Sequence, residues 1–102
     1  MSSLKDVAQY VRSKAAGPFW VTIDIFCPDR EAFDRVRKAP ALGATAIAAL
    51  YGVSANAVKV LEAPDLNVLK ISFPRREPQG SVGDADSHAG QYFVPLLDAV
   101  VD

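Results

Sequence analysis

The long polar segment 75–90 contains several residue types that could bind an anion or a metal ion. Arginines beside glycines can hold a phosphate, and carboxylates with an imidazole can bind a metal. The glycine spacing is not that of a P-loop, and surface loops often carry such residues without binding anything. We therefore expect no metal and no cofactor here. The candidates for binding a ligand or a partner are Arg75, Asp84, Asp86 and His88.

A second candidate is the run Arg12-Ser13-Lys14, which places two cations and a hydroxyl shortly before Gly17 and Pro18. If a helix ends here, the cations would compensate the negative end of its dipole. The same residues could instead form a site for an anion or a partner. Both interpretations stay open from the sequence.

Asp24 is a third candidate, because it lies inside Phe19–Cys27, the longest β-rich run of the chain. The run alternates, so Thr22 and Asp24 point away from the apolar residues that should form the core, namely Phe19, Val21, Ile23 and Ile25. Cys27 should pack as a small hydrophobe. With one histidine and one cysteine in the chain, a nucleophilic triad is unsupported. A small self-contained enzyme that uses Asp24 or His88 stays an alternative.

Length and composition are typical of one globular domain over residues 1–102. A net charge of −1 gives no electrostatic reason to expect nucleic acid or an anionic membrane as partner. The single cysteine fits a reducing compartment, and no apolar run is long enough to cross a membrane. We expect a soluble, cytoplasmic protein.

The periodicity of apolar residues and the positions of Gly and Pro predict eight elements. In chain order these are a helix over 3–16 that begins with a capping box at Ser3 and Asp6, the strand Phe19–Cys27, a helix capped by Asp29, a helix over 43–51, strands over 57–62 and 68–73, a helical turn near 88–93, and a strand over 96–101. This order is close to that of a ferredoxin-like α+β sandwich. We predict that fold, with an extra N-terminal helix and an antiparallel sheet of three to four strands.

One face of that sheet should stay uncovered and carry polar and apolar side chains together. They are Trp20, Thr22, Asp24, Phe26, Lys59, Leu61, Val68 and Lys70. Exposed apolar patches usually bury against a partner. An alternative interpretation is a DNA-binding regulator, in which residues 45–61 form a helix-turn-helix and Ser54 caps its recognition helix. The single positive charge on that helix and the alternation of Val58 and Val60 count against it.

Three segments resemble a family of small bacterial domains of unknown function, the AtuA-like ferredoxin-fold domains. They are Val11–Phe19 with Thr22–Ile25, Leu50–Val53, and Gly83–Asp86 with Gln91 and Pro95–Leu97. The family is found beside or fused to AtuA-type proteins of acyclic terpene utilisation. Ala15 and Phe93 depart from its pattern, which has Asn and His there.

The resemblance implies a partner rather than a reaction. We expect a non-catalytic or half-site subunit that binds a large AtuA-like protein, pairs with itself, or does both. Together with its partner it would form a site for an anionic substrate, which the resemblance suggests is of the acyl-CoA type. The resemblance also favours a helix-to-strand turn at Leu50–Val53 over a helix-turn-helix.

Overall fold

The computed structural model describes residues 2–17, 19–74 and 93–101. The described chain forms an α+β fold with a four-stranded antiparallel sheet in the order β1-β2-β4-β3. The strands are β1 (Tyr10–Ala15), β2 (Trp20–Phe26), β3 (Lys59–Ala63) and β4 (Val68–Pro74). The helices are α1 (Leu4–Val7), α2 (Arg30–Lys38) and α3 (Ala44–Tyr51), with 3-10 turns at Pro40–Leu42, Ala55–Ala57, Pro64–Leu66 and Val94–Asp98.

The core lies between the helices and one face of the two central strands. That face is built by alternate residues of β2 and β4, and the helices add their own apolar residues to the same cluster. The buried strand residues are Val21, Ile23, Ile25, Leu69, Ile71 and Phe73, and the helical ones include Leu4, Phe33, Val36 and Ile47. Since side chains alternate along a strand, the intervening residues of β2 and β4 point to the opposite face.

The predictions for the middle of the chain are confirmed. Asp29 caps α2, with its carboxylate accepting a hydrogen bond from the Ala32 N–H at 2.8 Å. Gly52 ends α3 in the left-handed conformation, with a φ of 69° that favours glycine. The strand predicted over 57–62 is β3, and it pairs antiparallel with β4. The recognition helix that a helix-turn-helix would need is therefore absent from residues 54–62.

The helix predicted over 3–16 is wrong. It ends after a single turn at Val7, and Tyr10–Ala15 forms β1, which pairs along its whole length with β2. The predicted capping box is present, since the Asp6 carboxylate accepts from both the N–H and the Oγ of Ser3. Gly17 is in the left-handed region, as expected of a cap, but it lies in the connection between β1 and β2.

Two further predictions fail at the ends of elements. Phe19 does not seed the core, since it lies just before β2 and is 57% exposed. The last strand predicted over 96–101 is a 3-10 turn at Val94–Asp98 followed by an isolated bridge between Val100 and Ser3. The turn predicted near 88–93 lies outside the described residues except for Phe93.

The described elements run α-β-β-α-α-β-β, which differs from the predicted order at both ends of the chain. β4 lies between β2 and β3 and is antiparallel to both. The chain passes from β2 to β3 through α2 and α3. This is a split βαβ arrangement, with β1 added beside β2. The predicted antiparallel sheet of three to four strands is thus confirmed, with four strands, while the ferredoxin-like identity stays a prediction. In the described residues, no helix has the length and apolarity needed to cross a membrane.

Candidate functional site

The candidate site is the sheet face opposite the core, which we call the open face. Its central cross-strand row contains Arg12, Asp24, Lys70 and Leu61, one residue from each strand. Directly opposite residues in antiparallel strands have Cβ atoms about 4.5–5.5 Å apart, so the four side chains of this row lie next to one another. The pairing register thus places one carboxylate between two cations.

Asp24 lies beneath its two neighbours in this row and is only 3% exposed, although no described helix covers it. Its Oδ2 accepts a hydrogen bond from the Nε of Arg12 at 3.2 Å. Its Oδ1 is buried and lies 3.9 Å from the Nζ of Lys70, which is beyond hydrogen-bond distance. The side chains of both cations are about half exposed. The carboxylate is therefore buried beneath two cations that reach solvent.

Aromatic rings lie on both sides of the central row. The guanidinium of Arg12 lies over the ring of Phe26, 5.2 Å from its centroid, and the ring of Tyr10 packs edge-on against the same ring. On the other side, the Nζ of Lys59 lies 5.5 Å from the centroid of Trp20. Cation–π contacts of this kind hold the charged groups in place at the surface.

Two grooves on the open face are lined by the described residues. The larger, of about 350 Å³, contains Asp24 with Arg12 and Lys70, and its apolar wall is formed by Phe26, Leu61, Ala63, Leu66 and Val68. We call it the Asp24 groove. The smaller, of about 240 Å³, is lined by Ala16, Trp20, Thr22, Lys59 and Ser72. Leu61 and Leu66 are 58% and 72% exposed, so the wall of the Asp24 groove is largely uncovered.

The electrostatics of the Asp24 groove favour a negative ligand. The hydrogen bond to Asp24 is the main cause that raises the pKa of Arg12 above its usual value, so this guanidinium stays charged. Glu62 borders the groove but is opposite Leu69, a core residue, in the pairing of β3 with β4. Because side chains alternate along β3, the Glu62 side chain points to the face opposite to that of Leu61. One carboxylate therefore faces two cations in the groove.

The structure separates the residues of the predicted Arg12-Ser13-Lys14 site. Arg12 and Lys14 point to the open face, where Lys14 is opposite Thr22 in the strand pairing. Ser13 points to the other face and is buried, and its Oγ accepts a hydrogen bond from the N–H of Phe93. These residues do not end a helix, so the interpretation in which they compensate a helix dipole is wrong. Of these three residues, Arg12 lies beside Asp24, which is itself a predicted site residue.

The other predicted site residues lie outside the described residues, and the structure does not test them. These are Arg75, Asp84, Asp86 and His88. The sequence also predicts that the loop folds back over β1, with Asp84 or Asp86 reaching Arg12 or Lys14, and this contact lies outside the described residues as well. Within the described residues, no group of three or more His, Cys, Asp or Glu side chains is arranged to hold a metal ion.

Sequence reasoning missed Lys70 and Leu66 as site residues. Lys70 was placed on the open face by the alternation of β4, but its position beside Asp24 depends on the pairing of β4 with β2. Leu66 approaches the groove through the 3-10 turn Pro64–Leu66, and Asn67 closes that turn with a φ of 54°. The turn itself is predicted over residues 63–67 by Pro64, Asp65 and Asn67, but this pattern does not indicate that Leu66 reaches the groove.

The fold and the open face define a small α+β domain with a charged and apolar sheet surface. The model of a family described as "Domain of unknown function (DUF4387)" matches residues 4–100, so the chain belongs to this family. Comparisons with curated proteins and with solved structures found no match. The association with AtuA-type proteins is not part of what the family match shows.

Proposed function

We propose that the protein is an accessory subunit whose open face binds a larger AtuA-like protein. The two proteins together would form a site for an anionic substrate of the acyl-CoA type. The observation that carries this proposal is the Asp24 groove, in which two half-exposed cations lie beside exposed leucines. A face that is both charged and apolar is typical of a surface that becomes covered.

The charges and the apolar residues of the open face have different roles in this proposal. Trp20, Leu61 and Leu66 would contact the larger protein, since exposed aromatic and aliphatic residues supply most of the contact area in interfaces. Arg12 and Lys70 would face the substrate, because a cation at the edge of an interface can contact a ligand shared by the two proteins. The ferredoxin-like identity of the fold belongs to the same proposal and is supported by the split βαβ arrangement of β2, β4 and β3.

The test is co-purification of the chain with an AtuA-like protein encoded beside it. We expect Leu61→Asp to abolish the complex, because it places a charge in the apolar part of the interface. Leu50→Asp is the matched control, since Leu50 is similarly exposed but lies on α3. We expect Leu50→Asp to bind as the unchanged chain does.

Two results would count against the proposal. One is the absence of a complex with the unchanged chain, and the other is a complex that Leu61→Asp and Leu50→Asp affect equally. Sedimentation of the chain by itself measures its oligomeric state, and this tests whether a second copy covers the open face. A dimer that Leu61→Asp dissociates would assign the face to self-association instead of to a larger protein.

A further inference from the structure

We infer that the Asp24 groove binds a carboxylate that carries an apolar chain, with the carboxylate at Arg12 and Lys70. This names the chemical class of the anionic substrate, and it rests on the proposed function only for the claim that the ligand is a substrate. The binding itself needs no partner, because the residues involved all belong to this chain.

The charged end of the groove has binding capacity that Asp24 does not use. Arg12 has five N–H donors, of which the Nε–H is directed at Asp24 and Tyr10 is a further hydrogen-bond partner of the guanidinium. Lys70 has three N–H donors, and its Nζ is 3.9 Å from the nearest Asp24 oxygen. Since one buried carboxylate lies beneath two cations, a positive charge is left at the mouth of the groove. A ligand carboxylate above Asp24 could accept hydrogen bonds from both cations.

The rest of the groove fits an apolar chain. Phe26, Leu61, Leu66 and Val68 form a continuous wall beside the two cations, and two of them are more than half exposed. The volume of about 350 Å³ is at the lower end of the range of roughly 300–1,000 Å³ that is typical of ligand pockets. A short aliphatic chain would cover the part of this wall beside the two cations, and burial of its surface would add to the affinity. In the complex, the larger protein would cover the rest of Leu61 and Leu66.

Other ligand classes fit the groove less well. A ligand with an ammonium group would be repelled by Arg12 and Lys70. A neutral ligand would lack the charge-assisted hydrogen bonds that a carboxylate forms with these residues. A phosphate shares the negative charge, and coenzyme A would bring phosphates to the same cations. The experiment therefore compares a free carboxylate with coenzyme A.

The experiment titrates the isotope-labelled chain with octanoate and follows backbone amide signals by NMR. We expect octanoate to shift the amides of residues 24, 61 and 70. Lys70→Met keeps most of the side-chain length but removes the charge, and it should weaken binding by roughly tenfold or more. Lys70→Arg keeps the charge and should bind octanoate as the unchanged chain does. The matched control is Lys5→Met, since Lys5 is an exposed cation of α1 that pairs with Asp98, away from the open face. It should bind like the unchanged chain.

The inference is overturned if octanoate produces no shifts, or if Lys70→Met and Lys5→Met bind equally well. Equal binding of octylammonium would show a purely apolar groove and would also overturn it. If coenzyme A shifts the same amide signals and octanoate does not, the two cations bind a phosphate and not a carboxylate, and the inference is overturned. If octanoate binds while no AtuA-like protein co-purifies, the accessory role fails and the ligand site stands. If an AtuA-like protein co-purifies while octanoate does not bind, the ligand site fails and the accessory role stands.

Discussion

Asp24 illustrates how one buried carboxylate organises the open face. Its position in β2 places it opposite Arg12 on one side and Lys70 on the other, so both long side chains lie over it. The side chains of both cations cover the carboxylate and are about half exposed, so their charged groups also reach solvent. The desolvation of Asp24 is offset by one hydrogen bond and by a second cation nearby. A surface that holds two cations in this way suits an anion.

Cys27 is the residue for which burial has the clearest chemical consequence. It is 6% exposed at the end of β2, and burial raises the pKa of its thiol to about 11, from 9.0. The thiolate is the reactive form. We therefore expect Cys27 of the folded chain to react far more slowly with iodoacetamide at mildly alkaline pH than in denaturant. Mass spectrometry of the alkylated chain measures both rates, and similar rates would contradict the burial.

The same shift in the Cys27 pKa predicts how stability changes in alkali. The folded chain keeps the Cys27 proton at pH values where the unfolded chain has lost it, so this contribution to stability is complete below pH 9.0. It declines as the pH rises from there to about 11. Urea denaturation of the unchanged chain and of Cys27→Ala across this range separates the contribution from that of other groups. The two stability curves should converge as the pH rises.

At the scale of elements, the N-terminus of α2 depends on one side chain. Asp29 accepts a hydrogen bond from the Ala32 N–H, which has no partner within the helix. Asp29→Ala should lower the free energy of unfolding by about 1 kcal/mol, as is usual for the loss of a cap. Asp29→Ser is the control, because serine can accept the same bond. Urea denaturation that gives equal midpoints for the two variants would contradict this role.

The elements that sequence patterns predicted well are those with local signals. α2 has its cap at Asp29, α3 has its stop at Gly52, and β4 has strict alternation up to Pro74. β1 had no such signal. Val11 continues the helical spacing of Leu4 and Val7, but it also begins the alternation of Val11, Ser13 and Ala15 toward the covered face. The choice between helix and strand is made by pairing with β2, which is a contact distant in sequence.

The candidate site could be predicted from the sequence only in part, because it too depends on pairing between strands distant in sequence. The alternation of β2 placed Asp24 on the open face, and that of β4 placed Lys70 there. The position of Arg12 above Asp24 requires β1 to be a strand, and the helix prediction excluded it. The register that brings Arg12, Asp24 and Lys70 into one row is set by strand pairing across the sheet.

At the scale of the molecule, the two ends of the described chain are joined beside α1. The N–H of Leu4 donates to the Ala99 carbonyl, and the N–H of Val101 donates to the Ser2 carbonyl. Lys5 and Asp98 pair at 3.0 Å on the surface of the same junction. Leu96 and Val101 of the segment 93–101 belong to the core, although the connection of this segment to β4 lies outside the described residues. It also reaches the sheet, where the Phe93 N–H donates to the Oγ of Ser13.

Leu96 is the residue through which this junction should contribute most to stability. It is fully buried in the core, whereas Val94, two residues earlier in the same 3-10 turn, is 45% exposed. Leu96→Ala should lower the free energy of unfolding by roughly 2–5 kcal/mol, because it leaves a cavity in the core. Val94→Ala, the matched control, should change it by about 0.5 kcal/mol or less. Urea denaturation of both variants measures the difference. If the two lose equal stability, the segment 93–101 is not part of the core, and the ends of the chain are held together by backbone hydrogen bonds alone.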